Sequence, residues 1–230
     1  MKILCIIPAR SGSKSLPHKN IKLFKDKPLL AHSIIQAKQS KHKMRIIVST
    51  DSEKYAKIAR EYGAVTPFLR PKEISGDLST DYEFIKHAIN YLKKNENYIP
   101  DIIVQLRPTY PTRKVNILDD TIDTFINNYD KYTSLRTVVP IEKCPQKMYY
   151  IEHNTLIPYF NKWNNIKEPY NKCRQEFPIT YLHNGYIDIL KTKILEHNTI
   201  TGDNIYPYIL SETELYDIDT ENDFNKALKV

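Results

Sequence analysis

The 230-residue chain is 41% hydrophobic and 27% charged, which suits a single globular domain with an insertion and needs no disulfide or metal staple. Its three cysteines, Cys5, Cys144 and Cys173, form no C-x-x-C pair, which argues against a zinc site and for a reducing, cytoplasmic compartment. The net charge of +7 favours anionic partners, but the positives are dispersed, which argues against a nucleic-acid-binding module.

In chain order, strands and helices alternate. Lys2–Ile7 reads as a continuous apolar strand, far too short to span a membrane, and it runs into Pro-Ala-Arg-Ser-Gly-Ser-Lys rather than a cleavage site. Pro28 to Lys38 has helical spacing, Ile46–Ser49 is a strand, and Ser52 opens a helix that Gly63 closes. Ile85, Ala88, Ile89 and Leu92 form an amphipathic stripe, followed by strand Ile102–Leu106 and a helical pattern from Val115 to Ile126. Ser134–Ile141 reads as a strand. Short strands at Lys147–Ile151 and Thr155–Pro158 flank His153-Asn154, and an irregular aromatic stretch runs from Tyr159 to Phe177. Thr180–Leu190 resumes regular structure, and Thr220 begins a last short helix. These βαβ units predict one α/β domain with a Rossmann-like, mostly parallel sheet and an insertion at residues 142–178.

The segment after the first strand, Ile7-Pro8-Ala9-Arg10-Ser11-Gly12-Ser13-Lys14-Ser15-Leu16-Pro17-His18-Lys19-Asn20, falls at the carboxyl edge of the sheet, where open α/β folds bind ligands. Small residues and three cations suit a triphosphate, which takes backbone N–H donors and positive charge together. No Walker A loop or Gly-x-Gly-x-x-Gly fingerprint occurs, the histidines lack metal-ligand spacing, and no serine sits in a nucleophile elbow.

This opening segment resembles that of the acylneuraminate cytidylyltransferases. The likeness continues through Ser49-Thr50-Asp51-Ser52, Pro67-Phe68-Leu69-Arg70-Pro71 and Leu106-Arg107-Pro108-Thr109-x-Pro111-x-Arg113. It reappears at Arg174-Gln175-x-x-Pro178, Asn184-Gly185 and Asp217-Ile218-Asp219-Thr220, in family order over nearly the whole chain. The resemblance implies a fold of the nucleotide-diphospho-sugar transferase type. It implies a Mg²⁺-dependent reaction of CTP with an acidic nine-carbon sugar, sialic- or legionaminic-type, giving the CMP-sugar and pyrophosphate for a surface glycan. It also implies a homodimer held by the insertion.

Carried over by position, Arg10, Ser11, Gly12, Lys14, Lys19 and Asn20 match the triphosphate and ribose motif, and Arg70 and Ser79 the cytosine site. Arg107, Thr109, Lys147, Arg174, Gln175 and Asn184 match the sugar segments. Asp217 and Asp219 match the metal pair, and with Arg10 and Lys19 they are the candidates for the chemical step. In an extended Asp-x-Asp segment both carboxylates share a side; one could instead be a general base, and Thr220 with Asp223 reads independently as a helix capping box. The family's commoner form has Gln-Pro-Thr-Ser where this chain has Arg107-Pro108-Thr109-Tyr110, and Ser15 stands where glycine is frequent. The alternatives are another CTP- or UTP-dependent transferase of the same fold, such as one for 3-deoxy-manno-octulosonate, and the nucleic-acid module.

Overall fold

The computed structural model describes residues 1–210 and 217–229. Six strands form the central sheet: β1 (Ile3–Pro8), β2 (Met44–Ser49), β3 (Ile102–Gln105), β4 (Ser134–Ile141), β5 (Thr180–Lys191) and β6 (Ile205–Ile209), in the order β6-β4-β5-β3-β1-β2. β1 runs parallel to β2 and β3, and β6 runs parallel to β4, while β5 is antiparallel to both its neighbours. The expected mostly parallel sheet is therefore present, with one reversed strand. Successive strands β2 and β3 lie on opposite sides of β1. The direction of winding switches there and opens a crevice at its carboxyl end.

Both faces of the sheet are covered, which is why β1 is apolar throughout. Ile3, Cys5 and Ile7 join the core formed with α1 (Leu29–Gln39), α2 (Glu53–Glu61) and α4 (Val115–Asn127). Leu4 and Ile6 pack on the other face with α3 (Asp81–Glu96) and the 3-10 segment Thr192–His197. Helix α2 ends as read from Gly63: this residue takes φ 93, its N–H reaches Arg60 O and that of Ala64 reaches Ala59 O. The last helix, α5 (Glu221–Ala227), begins with the capping box of Thr220 and Asp223. It packs Phe224 and Ala227 against Leu16, Phe24, Leu29 and Ile218.

The insertion is more regular than the sequence suggests. Tyr149–Glu152 pairs with Thr155–Pro158 around His153 and Asn154, both in the left-handed region, and Lys162–Trp163 pairs with Ile166–Lys167. The strand expected from Lys147 starts at Tyr149, because Pro145–Lys147 forms a 3-10 turn. Among the described residues, no helix is long and apolar enough to cross a membrane.

Candidate active site

An open cleft of about 290 Å³ lies at the switch point. The loop leaving β1 forms one wall, the Arg70–Phe84 segment another, and the Arg107–Thr109 turn the floor. Five cations (Arg10, Lys14, Lys19, Arg70 and Arg107) and two carboxylates (Asp81 and Asp219) line it, together with Asn20, Ser79 and Thr109.

The loop is held by its own polar groups. Asn20 is buried and donates Nδ2 to Arg10 O at 2.9 Å. Ser11 is turned away from the cleft, with its N and Oγ on the Asp51 carboxylate at 2.8 and 2.7 Å. Gly12 is exposed, and a Cβ there would touch nothing within 4 Å. Arg10 and Lys14 both pair with Asp77, Arg10 Nη1 at 2.9 Å from Oδ1. Their contacts hold the Asp77 carboxyl below the usual range, the Lys14 hydrogen bond most of all.

Arg70 is buried over the Phe84 ring, with Nε on Ser49 Oγ at 3.0 Å and Nη2 on Ser49 O at 2.6 Å. Burial lowers its pKa to about 10, against the pull of Asp51 and Asp81. Its Nη1 donors carry no hydrogen bond among the described residues, and the side chain lines the cleft beside Ser79.

Arg107 is committed inward. Nη1 reaches Asp188 Oδ2 at 2.6 Å and Gly185 O at 3.0 Å, and Nη2 reaches Asp81 Oδ2 at 2.6 Å. Burial works against its charge, but the two carboxylates more than offset this and raise its pKa. Burial likewise opposes ionisation of Asp188; His183 Nε2 at 2.8 Å and Arg107 outweigh it and hold that carboxyl low. The contact with Gly185 depends on an irregularity in β5 between His183 and Asp188. Gly185 takes φ 70, and a Cβ there would lie 2.8 Å from Arg107 Nη1, so only glycine lets the two approach. The Asn184 side chain stitches this bulge to Thr137 Oγ1 at 2.7 Å and Tyr186 N at 3.1 Å, leaving its buried Nδ2 without a partner. Beneath the turn, the fully buried Arg113 binds Gln36 Oε1, Tyr186 O and Arg107 O at 2.7–2.8 Å.

Asp217 and Asp219 flank Ile218, whose side chain is fully buried and whose N–H donates to Thr109 O at 3.0 Å. That anchor sets one carboxylate on each side of the buried residue. Asp219 is exposed to the cleft and accepts from Lys19 Nζ at 2.7 Å. Asp217 is half-buried, and its Oδ1 is buried without a hydrogen bond among the described residues. Burial raises its pKa and the charge of Asp219 adds to this, together outweighing the contact with Thr109 and the nearby Lys19 and Arg107, which lower it. No group of three or more metal-ligating side chains occurs among the described residues. Mg²⁺, however, needs only one or two carboxylates beside phosphate oxygens, and an orphaned oxygen on a raised carboxyl fits a hard cation.

The remaining sequence candidates lie elsewhere. Arg174 and Gln175 line a separate hollow with Glu142, Cys144 and Phe177, and Lys147 Nζ donates to Lys172 O at 2.5 Å within the insertion. Sequence reading quoted Asp51 only within a matching block, without a role, and missed the acidic partners Asp77, Asp81 and Asp188. Of the last three, Asp81 alone carried a local signal, since it follows Thr80 in the capping box that Glu83 completes.

A family model described as "Cytidylyltransferase" matches residues 4–201. An N-acylneuraminate cytidylyltransferase of Escherichia coli is 34% identical over all of this chain, which spans about half (52%) of that relative. A pseudaminic acid cytidylyltransferase of Campylobacter jejuni is 33% identical over 99% of this chain and 95% of its own. A CMP-N,N'-diacetyllegionaminic acid synthase of Legionella pneumophila is 36% identical, over 97% and 94%. Among solved structures, a CMP:2-keto-3-deoxy-manno-octonic acid synthetase complexed with CTP superposes with a TM-score of 0.72 at 17% identity, over 100% of this chain and 98% of that one. Such a match shows shared fold. The chain belongs to the cytidylyltransferase family.

Proposed function

We propose that this enzyme transfers CMP from CTP to a nonulosonic acid of the sialic, pseudaminic or legionaminic type, releasing pyrophosphate. The observation that carries this reading is one cleft at the switch point holding Arg10, Lys14, Lys19 and Arg70 beside the Asp217–Asp219 pair. The acids named in the relatives support the sugar class.

Phosphoryl and nucleotidyl transfer leave the protein little covalent work, so positioning and charge neutralisation supply the rate. Arg10, Lys14 and Lys19 neutralise the triphosphate, and the 11–15 backbone lies beside it. Arg70, with Ser79, reads the base through its Nη1 donors. Asp217 and Asp219 would hold Mg²⁺, which when bound supplies positive charge to phosphate oxygens and acidifies a hydroxyl. The three free cysteines are consistent with a reducing, cytoplasmic setting.

Pyrophosphate release should be followed with CTP or UTP against a panel of sugar acids that includes 3-deoxy-manno-octulosonate. A nonulosonic acid with CTP is expected to be turned over at least about tenfold faster than with UTP, because a wrong base leaves a buried arginine donor unpaired. Equal use of UTP, or preference for the eight-carbon acid, overturns the assignment.

The reading also takes residues 142–178 as the arm of a homodimer, delivering Lys147, Arg174 and Gln175 to the partner's cleft. The arm and the start of β5 concentrate exposed apolar side chains, among them Tyr150, Ile151, Tyr159, Ile179 and Leu182. Light scattering at micromolar concentration should give twice the chain mass; a fully active monomer contradicts this.

A further inference from the structure

The segment between the 3-10 turn at Lys72–Ile74 and α3 is tied down at both ends but not at its tip. Ser75 Oγ donates to Pro71 O at 2.8 Å, and the Thr80–Glu83 capping box fixes the far end. Between them, Gly76, Asp77 and Leu78 are exposed, Leu78 to 95%. Apart from a bond of 3.3 Å from Ser79 N to Gly76 O, the tip is held among the described residues by the Asp77 carboxylate alone. Oδ1 takes Arg10 Nη1 and Oδ2 takes Lys14 Nζ. Two of the three cations that the cleft offers a triphosphate are thus spent on one side chain, which lies 67 residues from Arg10 in sequence.

We propose that Asp77 is a clasp that stands in for phosphate. It neutralises Arg10 and Lys14, closes the wall between the two loops, and must let go when the nucleotide enters. This inference rests on the cleft being the CTP site. The physical reason is competition for donors: a carboxylate and phosphate oxygens take the same N–H groups in the same geometry. A triphosphate carries several negative charges against one, so it wins. Left in place, the Asp77 carboxylate would face the incoming phosphates at close range. The tip has the freedom to withdraw, since a Cβ on Gly76 would meet only Ser79 Oγ, at 3.8 Å, and Leu78 packs on nothing. The clasp sets nucleotide affinity without touching the reacting atoms.

The test is calorimetric titration of CTP with Mg²⁺ into wild type, Asp77→Asn, Asp77→Glu and, as a control for net charge, Glu73→Gln. Glu73 lines a shallow outer hollow with Lys14 and Asp77 but holds neither cation. Asp77→Asn should bind CTP about three- to tenfold more tightly, up to about 1.4 kcal/mol. Asp77→Glu should stay near wild type, because a carboxylate still reaches the pair. Glu73→Gln should change affinity by less than the Asp77→Asn gain. Unchanged or weaker binding in Asp77→Asn overturns the clasp and makes Asp77 a support for Arg10. An equal gain in Glu73→Gln overturns it too, as plain charge removal. Failure of wild type to bind CTP defeats the nucleotide-site reading itself, and the clasp with it.

Discussion

Replacing Asp217 with asparagine is expected to cut turnover by about 10²–10³ while raising the unfolding temperature of the metal-free protein. Both effects come from one orphaned atom. Oδ1 of Asp217 is buried without a hydrogen bond among the described residues, and burial with the neighbouring Asp219 raises the carboxyl pKa. A folded-state pKa above the unfolded one means the fold holds that proton more tightly than the open chain does. The ionisation penalty is therefore absent below the ordinary value of 3.8, grows as pH rises through the raised value, and is complete above it. Asparagine removes the penalty. With a chelator present at neutral pH the gain should be about 2–4 °C, and it should vanish as the pH is taken below the ordinary carboxylate range. Added Mg²⁺ with CTP should stabilise wild type more than the variant. Near wild-type turnover and Mg²⁺ dependence in Asp217→Asn would reduce the segment to an anchor for Ile218 ahead of the last helix.

Lys19→Ala and Arg10→Ala should each lower kcat/KM by about 10²–10³, with the fold intact. Lys19 is the more telling of the two. Its side chain is only 14% exposed, and Nζ sits 2.7 Å from Asp219 Oδ1, at the join between the phosphate loop and the carboxylate pair. Removing it takes a charge-assisted donor from the cleft and also deprives Asp219 of its cation, so the two aspartates repel more strongly. For Lys19→Ala the loss should fall in kcat as well as in CTP affinity. A loss below about threefold in both variants shows that the loop does not hold the triphosphate.

Much of this site was legible from short-range pattern. The apolar run of β1, the basic loop behind it, Gly63 and the Thr220–Asp223 box are local features, and local physics places them. The last strand was missed for a local reason as well: Ile205–Ile209 carries Pro207 at its centre, which argues against a central strand and is tolerated here because β6 lies at the sheet edge. What local pattern could not supply was pairing. Arg107 meets Asp81 and Asp188 across 26 and 81 residues, and Arg10 meets Asp77 across 67. Sequence alone reads these arginines as open to a ligand; the folded chain shows how much of their charge is already answered. Residues 211–216 precede the aspartate pair and lie outside the described region.

The inward commitment of Arg107 has an evolutionary side. Asp188 is 6% exposed in its side chain and depends on Arg107 and His183 for its charge. Exchanging Arg107 alone for the glutamine of the family's commoner form would leave that carboxylate to His183 and the more distant Arg136, at a cost of up to about 3 kcal/mol. Folding stabilities of about 5–15 kcal/mol leave little room for such a step. A lineage passing between the two forms is therefore eased by a change at position 188 before or together with position 107. Grafting the one side chain into a relative, in the hope of exchanging sugar preference, should yield a poorly folded protein until its acidic companions travel with it.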